Sequence, residues 1–147
     1  MAERTWTLEQ FPEKLAVVRL PAGADVPGWV ESSSLFSITA TARETSLVCA
    51  RRSVPRKITQ LGPFFAFAVQ GVLDPSLTGV LVELLTPLAE AEVPVFTIST
   101  YDTDWVLVHV DHAERAGEEW RRRGHTVAPA VPVTPTPSRS QQPQEKK

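Results

Sequence analysis

At 147 residues and 42% apolar content, the chain is long enough for one medium domain or for two small ones sharing a core. A formal net charge of −2 argues against nucleic acid as a partner, since that requires many phosphates to be neutralised. No apolar run reaches the roughly 20 residues of a membrane helix, and Met1-Ala2-Glu3-Arg4 lacks the charged-then-apolar plan of a signal peptide, so we expect no membrane association and a cytoplasmic location.

Residues from Met1 to about Phe11 mix charge with isolated Trp6 and Leu8, and predict a loose start with one short strand at most. Leu15 to Leu20 reads as a strand ended by Pro21, and Val26-Pro27-Gly28-Trp29-Val30 as one helical turn from which Trp29 plugs the core. Leu35 to Ala40 and Thr45 to Ala50 are strands joined closely enough for a hairpin. The lone Cys49 lies in the second of them, where it reads as a buried structural thiol. Arg51 to Lys57 is a basic loop that could gather an anionic ligand or be a solvated connection, the second reading carrying more weight. Ile58 to Leu61 is a short strand, and Gly62-Pro63 punctuates. Phe64 to Val69 then alternates large Phe65, Phe67 and Val69 with small Ala66 and Ala68, as a tightly packed strand does.

Asp74 followed by Pro75 reads as an N-cap and first helical residue. The apolar stripe Leu77, Val80, Leu81, Leu84, Leu85 and Leu88 has helical spacing, and Pro94 forbids continuation. Val93 to Ile98 reads as a buried strand and Asp104 to Val110 as another, with Ser99 to Thr103 turning between them. Asp111 can cap a last helix with the inward stripe Ala113, Ala116 and Trp120, stopped by Gly124, before a short strand at Thr126 to Ala128. This order is the ferredoxin-like βαββαβ plan, and the first half repeats part of it with its helix shrunk. The expected fold is therefore α+β, with one such unit over 10–62 and a second over 63–128. Residues 129–147, rich in Pro, Thr, Ser, Gln and Lys, have little to bury and are expected to form a disordered tail.

Nucleophilic catalysis would need a base beside the nucleophile, and neither His109 nor His125 is placed by any local motif to serve Cys49. Asp102, Asp104 and His109 lack zinc or calcium spacing, and no phosphate-binding or dinucleotide loop is present, so no metal or cofactor is expected. The helix start from Asp74 to Leu81 is better suited to chemistry, because first-turn N–H groups at the positive end of the dipole suit a carboxylate. Ser76 and Thr78 add hydroxyls, and Gly79 allows close approach. The carbonyls of Thr100 and Tyr101 together with Asp104 could hold an ammonium or guanidinium group. An α-amino acid has both charges. The plainer readings are a helix cap for Asp74 and a turn former for Asp102.

Three stretches carry a family resemblance: Ser76-Leu77-Thr78-Gly79-Val80-Leu81, Pro87-Leu88-Ala89, and Val95 to Asp104 with its Ser-Thr-aromatic turn. Over roughly Phe64 to Gly124 the chain resembles the ACT domain, a small ligand-binding module, and more closely the short subfamily that includes the animal cytosolic arginine sensors of the TOR pathway. The resemblance implies an amino acid held by Thr100, Tyr101, Thr103 and Asp104 on one side and by Asp74, Leu77, Thr78, Gly79, Val80 and Leu81 on the other. Leu77 stands where the arginine-binding members have an acidic residue, which counts against arginine itself. The expected protein is thus a non-catalytic sensor whose amino acid lies between ACT units. A homodimer is expected, since two copies would restore the unit count of the longer sensors. The competing expectation is an interaction module that keeps the fold without the ligand.

Overall fold

The computed structural model describes residues 4–130, so the expectation of a disordered tail falls almost wholly outside the described residues. Eight strands form one sheet: β1 (Thr7–Gln10), β2 (Leu15–Pro21), β3 (Ser37–Ala40), β4 (Glu44–Ala50), β5 (Gln60–Val69), β6 (Val95–Ser99), β7 (Asp104–His109) and β8 (Thr126–Pro129). Two helices, α1 (Val80–Glu90) and α2 (Ala113–Arg122), complete the fold.

β5 organises the sheet. Gln60, Leu61 and Phe64 pair with β2 on one edge, Phe67 to Val69 pair with β1 further along that edge, and Phe64 to Ala68 pair with β7 on the other. The strand runs through Gly62-Pro63, where the sequence suggested punctuation, so the expected boundary between 62 and 63 lies within a single strand. Taken in order across the sheet, β5-β2-β4-β3 repeats the strand order of β8-β5-β7-β6 with β1 inserted beside β8. Both are ferredoxin-like arrangements, and β5 serves as the last strand of the first unit and the first strand of the second. In the first unit the positions of the two helices are taken by the turn around Trp29 and by a 3-10 turn at Arg51–Ser53.

One face of the second unit is covered by both helices. Leu8, Phe67, Val69, Val106 and Val108 of the sheet meet Val80, Leu84 and Leu88 of α1 and Ala113, Ala116 and Trp120 of α2. Trp120 is fully buried, stands edge-on to Phe67 at 4.9 Å, and donates its Nε1–H to the Leu84 carbonyl at 2.8 Å. In the first unit Ala16, Val18, Leu20, Leu47 and Cys49 are covered by Trp29, Val30, Val54 and Ile58. The opposite face joins both units through Leu15, Val48, Phe64, Ala66 and Leu107. The alternation read in β5 separates these two faces as expected, and in β7 Val106 and Val108 lie on one face and Leu107 on the other.

Several boundaries differ from the sequence reading. β1 is an interior strand, paired to β5 and β8, because Leu8 alone carries its buried face and gives too short a pattern to recognise. α1 begins at Val80, not at Pro75: Asp74 closes a turn of its own, and Gly79, at φ 79°, sits at the N-cap. α1 ends before Pro94, because Glu92 adopts φ 58° and Val93 donates to the Leu88 carbonyl at 2.9 Å, which starts β6 at Val95. The side chain that caps the turn into α2 is His109, whose Nδ1 accepts from the Asp111 N–H, and not Asp111. Gly124, at φ 90°, ends α2 as read.

Candidate functional site

Two loops at the same end of the second unit enclose a cavity of about 350 Å³. The first leads from β5 into α1 and the second turns from β6 to β7. Their main chains are joined, with the Leu73 N–H donating to the Asp102 carbonyl at 2.7 Å. Thr103 adds a second tie through its hydroxyl, which donates to the Val69 carbonyl at 2.8 Å.

Each loop is closed by short side chains. In the first, the Asp74 carboxylate accepts from both the N–H and the hydroxyl of Ser76, each at 2.8 Å, and Leu77 donates to the Asp74 carbonyl at 3.0 Å. These bonds from Ser76 hold the Asp74 carboxyl below its usual value. In the second, the Thr100 N–H donates to the Thr103 carbonyl at 2.9 Å, and Asp104 accepts from the Ser99 hydroxyl at 2.7 Å. Gly79 then turns the chain into α1. Its left-handed φ is one that only glycine adopts without strain, and a Cβ there would stand 3.6 Å from an Arg4 guanidinium nitrogen.

The first intrahelical bond of α1 runs from Glu83 to the Gly79 carbonyl, and among the described residues no side chain caps the helix start. The N–H groups of its first turn therefore face the loops at the positive end of the dipole. Asp104, an acidic residue, lines the same cavity. A small molecule with one anionic and one cationic group matches that polarity.

Of the residues singled out from sequence, Asp74, Leu77, Gly79, Val80, Leu81, Thr100, Tyr101, Thr103 and Asp104 all line this cavity. Thr78 does not; its carbonyl instead accepts from Arg4 at 2.7 Å. The sequence reading passed over Leu73 and Val82 of the lining, and treated Asp102 only as a turn former. It also passed over the brace behind the helix start, where Arg4 pairs with Glu83 and the Trp6 Nε1–H donates to Glu83 at 2.9 Å. Those residues lie in a segment that reads as a loose terminus, and no local pattern marks them.

Cys49 is fully buried, and burial pushes its thiol up from its usual value, the opposite of what a nucleophile needs. Among the described residues no three or more His, Cys, Asp or Glu side chains form a group that could hold a metal ion.

Residues 63–118 match the ACT domain family model, and residues 13–57 match a second model described as the N-terminal domain of another family. No protein of curated function matches the sequence. Among solved structures, one protein of Agobacterium tumefaciens superimposes with a TM-score of 0.81 at 24% identity, covering 91% of this chain and 100% of that one. The regulatory subunit of aspartate kinase from Thermus flavus superimposes with a TM-score of 0.57 at 10% identity, covering 81% of this chain and 98% of that one. Aspartate kinase from Synechocystis gives 0.60 at 16% identity, over 90% of this chain and 29% of that one. The fold is thus that of two ferredoxin-like units of the ACT type.

Proposed function

We propose that the protein is a non-catalytic amino-acid sensor, cytoplasmic and free of cofactors, with its ligand held in the cavity between the 73–82 and 100–104 loops. The observation that supports this reading is the bond from Leu73 to Asp102, which joins the two loops so that the first turn of α1 and Asp104 line one cavity. The α-carboxylate would take the helix N–H groups and the ammonium group would take Asp104 with the nearby carbonyls. The likeness of fold to an aspartate kinase regulatory subunit supports a regulatory role, and the relation to the arginine sensors belongs to the same proposal.

The cavity's lining includes exposed apolar side chains: Leu77 is 40%, Val82 69% and Tyr101 95% exposed. A second ACT-type surface laid over the cavity's rim would cover these side chains and shut the ligand from water. We therefore read the working form as a homodimer with the amino acid at an interface between units, its binding favouring the closed arrangement. Leu77 favours the competing reading, an interaction module that uses the same rim without a ligand. A thermal-shift screen against the common amino acids separates the two, since a ligand at about a hundred times its dissociation constant adds roughly 2.7 kcal/mol. An unchanged melting temperature with every amino acid would favour the interaction module.

A further inference from the structure

The first unit has a polar cavity of its own, about 600 Å³ in volume, with Arg51, Arg52, Arg56, Thr59 and Gln60 in its wall. Lys57 extends the same basic loop. Of these four cations, Arg52 is neutralised by Glu13 at 2.9 Å and approaches Glu31 at 3.8 Å. Among the described residues no carboxylate lies within 4.0 Å of the Arg51, Arg56 or Lys57 head groups.

The loop is built, which distinguishes it from a solvated connection. Arg51 donates its N–H to the Lys14 carbonyl at 2.9 Å, Ile58 donates to Pro55 at 3.1 Å, and the Gln60 amide reaches the Pro55 carbonyl at 3.1 Å. Val54 is buried beneath it. The Arg51 side chain is packed over the chain at Gly62, its Nη1 only 3.2 Å from where a Cβ would stand. The Gln60 amide also reaches the Ile58 carbonyl at 3.4 Å, which fixes its side chain against the loop.

Like charges held together around one space repel until an anion enters, and guanidinium groups match the paired oxygens of a phosphate. A single carboxylate would leave most of this charge uncompensated. We propose that this cavity binds a phosphate-bearing small molecule, at a site separate from the amino-acid cavity and independent of that reading.

Pyrophosphate is the simplest probe. Calorimetric titration of the full chain is expected to show saturable binding, weakened at least about tenfold by Arg51→Ala and by Arg56→Ala, or about 1.4 kcal/mol each. Arg43→Ala, in the β3–β4 hairpin, removes a charge away from the loop and is expected to bind as wild type. Because Arg51 packs on Gly62, circular dichroism checks folding, and the exposed Arg56 keeps the test valid if Arg51→Ala does not fold. Absence of saturable binding at about 1 mM probe would overturn the proposal. So would equal weakening by Arg43→Ala, which would mean diffuse charge attraction, or succinate binding as tightly as pyrophosphate.

Discussion

The Leu73 N–H and the Asp102 carbonyl meet at 2.7 Å, and this one main-chain bond fixes the spacing of the two loops that wall the candidate site. It needs no particular side chain at either position. The site's width is therefore set largely by backbone, with the Thr103 hydroxyl as a second tie to the Val69 carbonyl.

If the apolar rim is an interface, the protein self-associates through it. Sedimentation at micromolar concentration should report a dimer. Tyr101→Ala together with Leu77→Asp should shift the population to monomer while leaving the circular dichroism spectrum unchanged, because both side chains are exposed in the single chain. A wild-type monomer of about 16 kDa, with and without amino acids, would contradict this.

Acid stability should depend on Glu13. Burial alone would raise its pKa, but hydrogen bonds from Ser33, Arg52 and Ser34 outweigh that and lower it from 4.5 to about 2. The folded state thus favours the carboxylate, and the stabilisation it brings is present above pH 4.5 and lost as pH falls toward 2. Glu13→Gln should lower stability at neutral pH by about 2 kcal/mol and flatten this acid-side loss, as read from urea unfolding at several pH values. An acid limb of wild-type slope in the variant would show that Glu13 is not the group responsible.

Trp120 couples the two helices through its bond to the Leu84 carbonyl, so shape and polarity can be separated there. Trp120→Phe keeps a ring against Phe67 but leaves that carbonyl without its indole donor, and should cost about 1–3 kcal/mol. Trp120→Ala should cost about 3–5 kcal/mol through the cavity it leaves. Equal losses in the two variants would mean that packing contributes little beyond the hydrogen bond.

The second unit was largely legible because its elements are long enough to show period: the stripe Ala113, Ala116 and Trp120, and the alternation in β5 and β7, each name a buried face. The α1 stripe, read as starting at Leu77, misled at that end, since Leu77 belongs to the turn before Gly79 and is exposed. An Asp-Pro pair suits a turn as well as a helix start, and only the left-handed Gly79 decides between them. In the first unit the helices have shrunk to turns, so β2, β3 and β4 were recognisable while their cover was not. β1 and the Arg4–Glu83 brace depend on contacts between residues far apart in sequence, which no local pattern records. The candidate site residues were named from a resemblance to the ACT domain's turn and helix start, and nothing local in the sequence records the Leu73 to Asp102 bond that joins the two loops around one cavity.

The most direct measurement is calorimetric titration of the common amino acids into wild type, Asp104→Ala and Asp74→Ala. Among the described residues the Asp104 carboxylate accepts one hydrogen bond, from the Ser99 hydroxyl, which leaves it available to an ammonium group, whereas Asp74 is engaged twice by Ser76. A charge-assisted hydrogen bond is worth roughly 1.5–3 kcal/mol, so Asp104→Ala should weaken the bound amino acid by about one to two orders of magnitude while the protein stays folded. Asp74→Ala should loosen its turn and reduce affinity less. Wild-type affinity in a folded Asp104→Ala protein would place the ligand elsewhere and contradict the account.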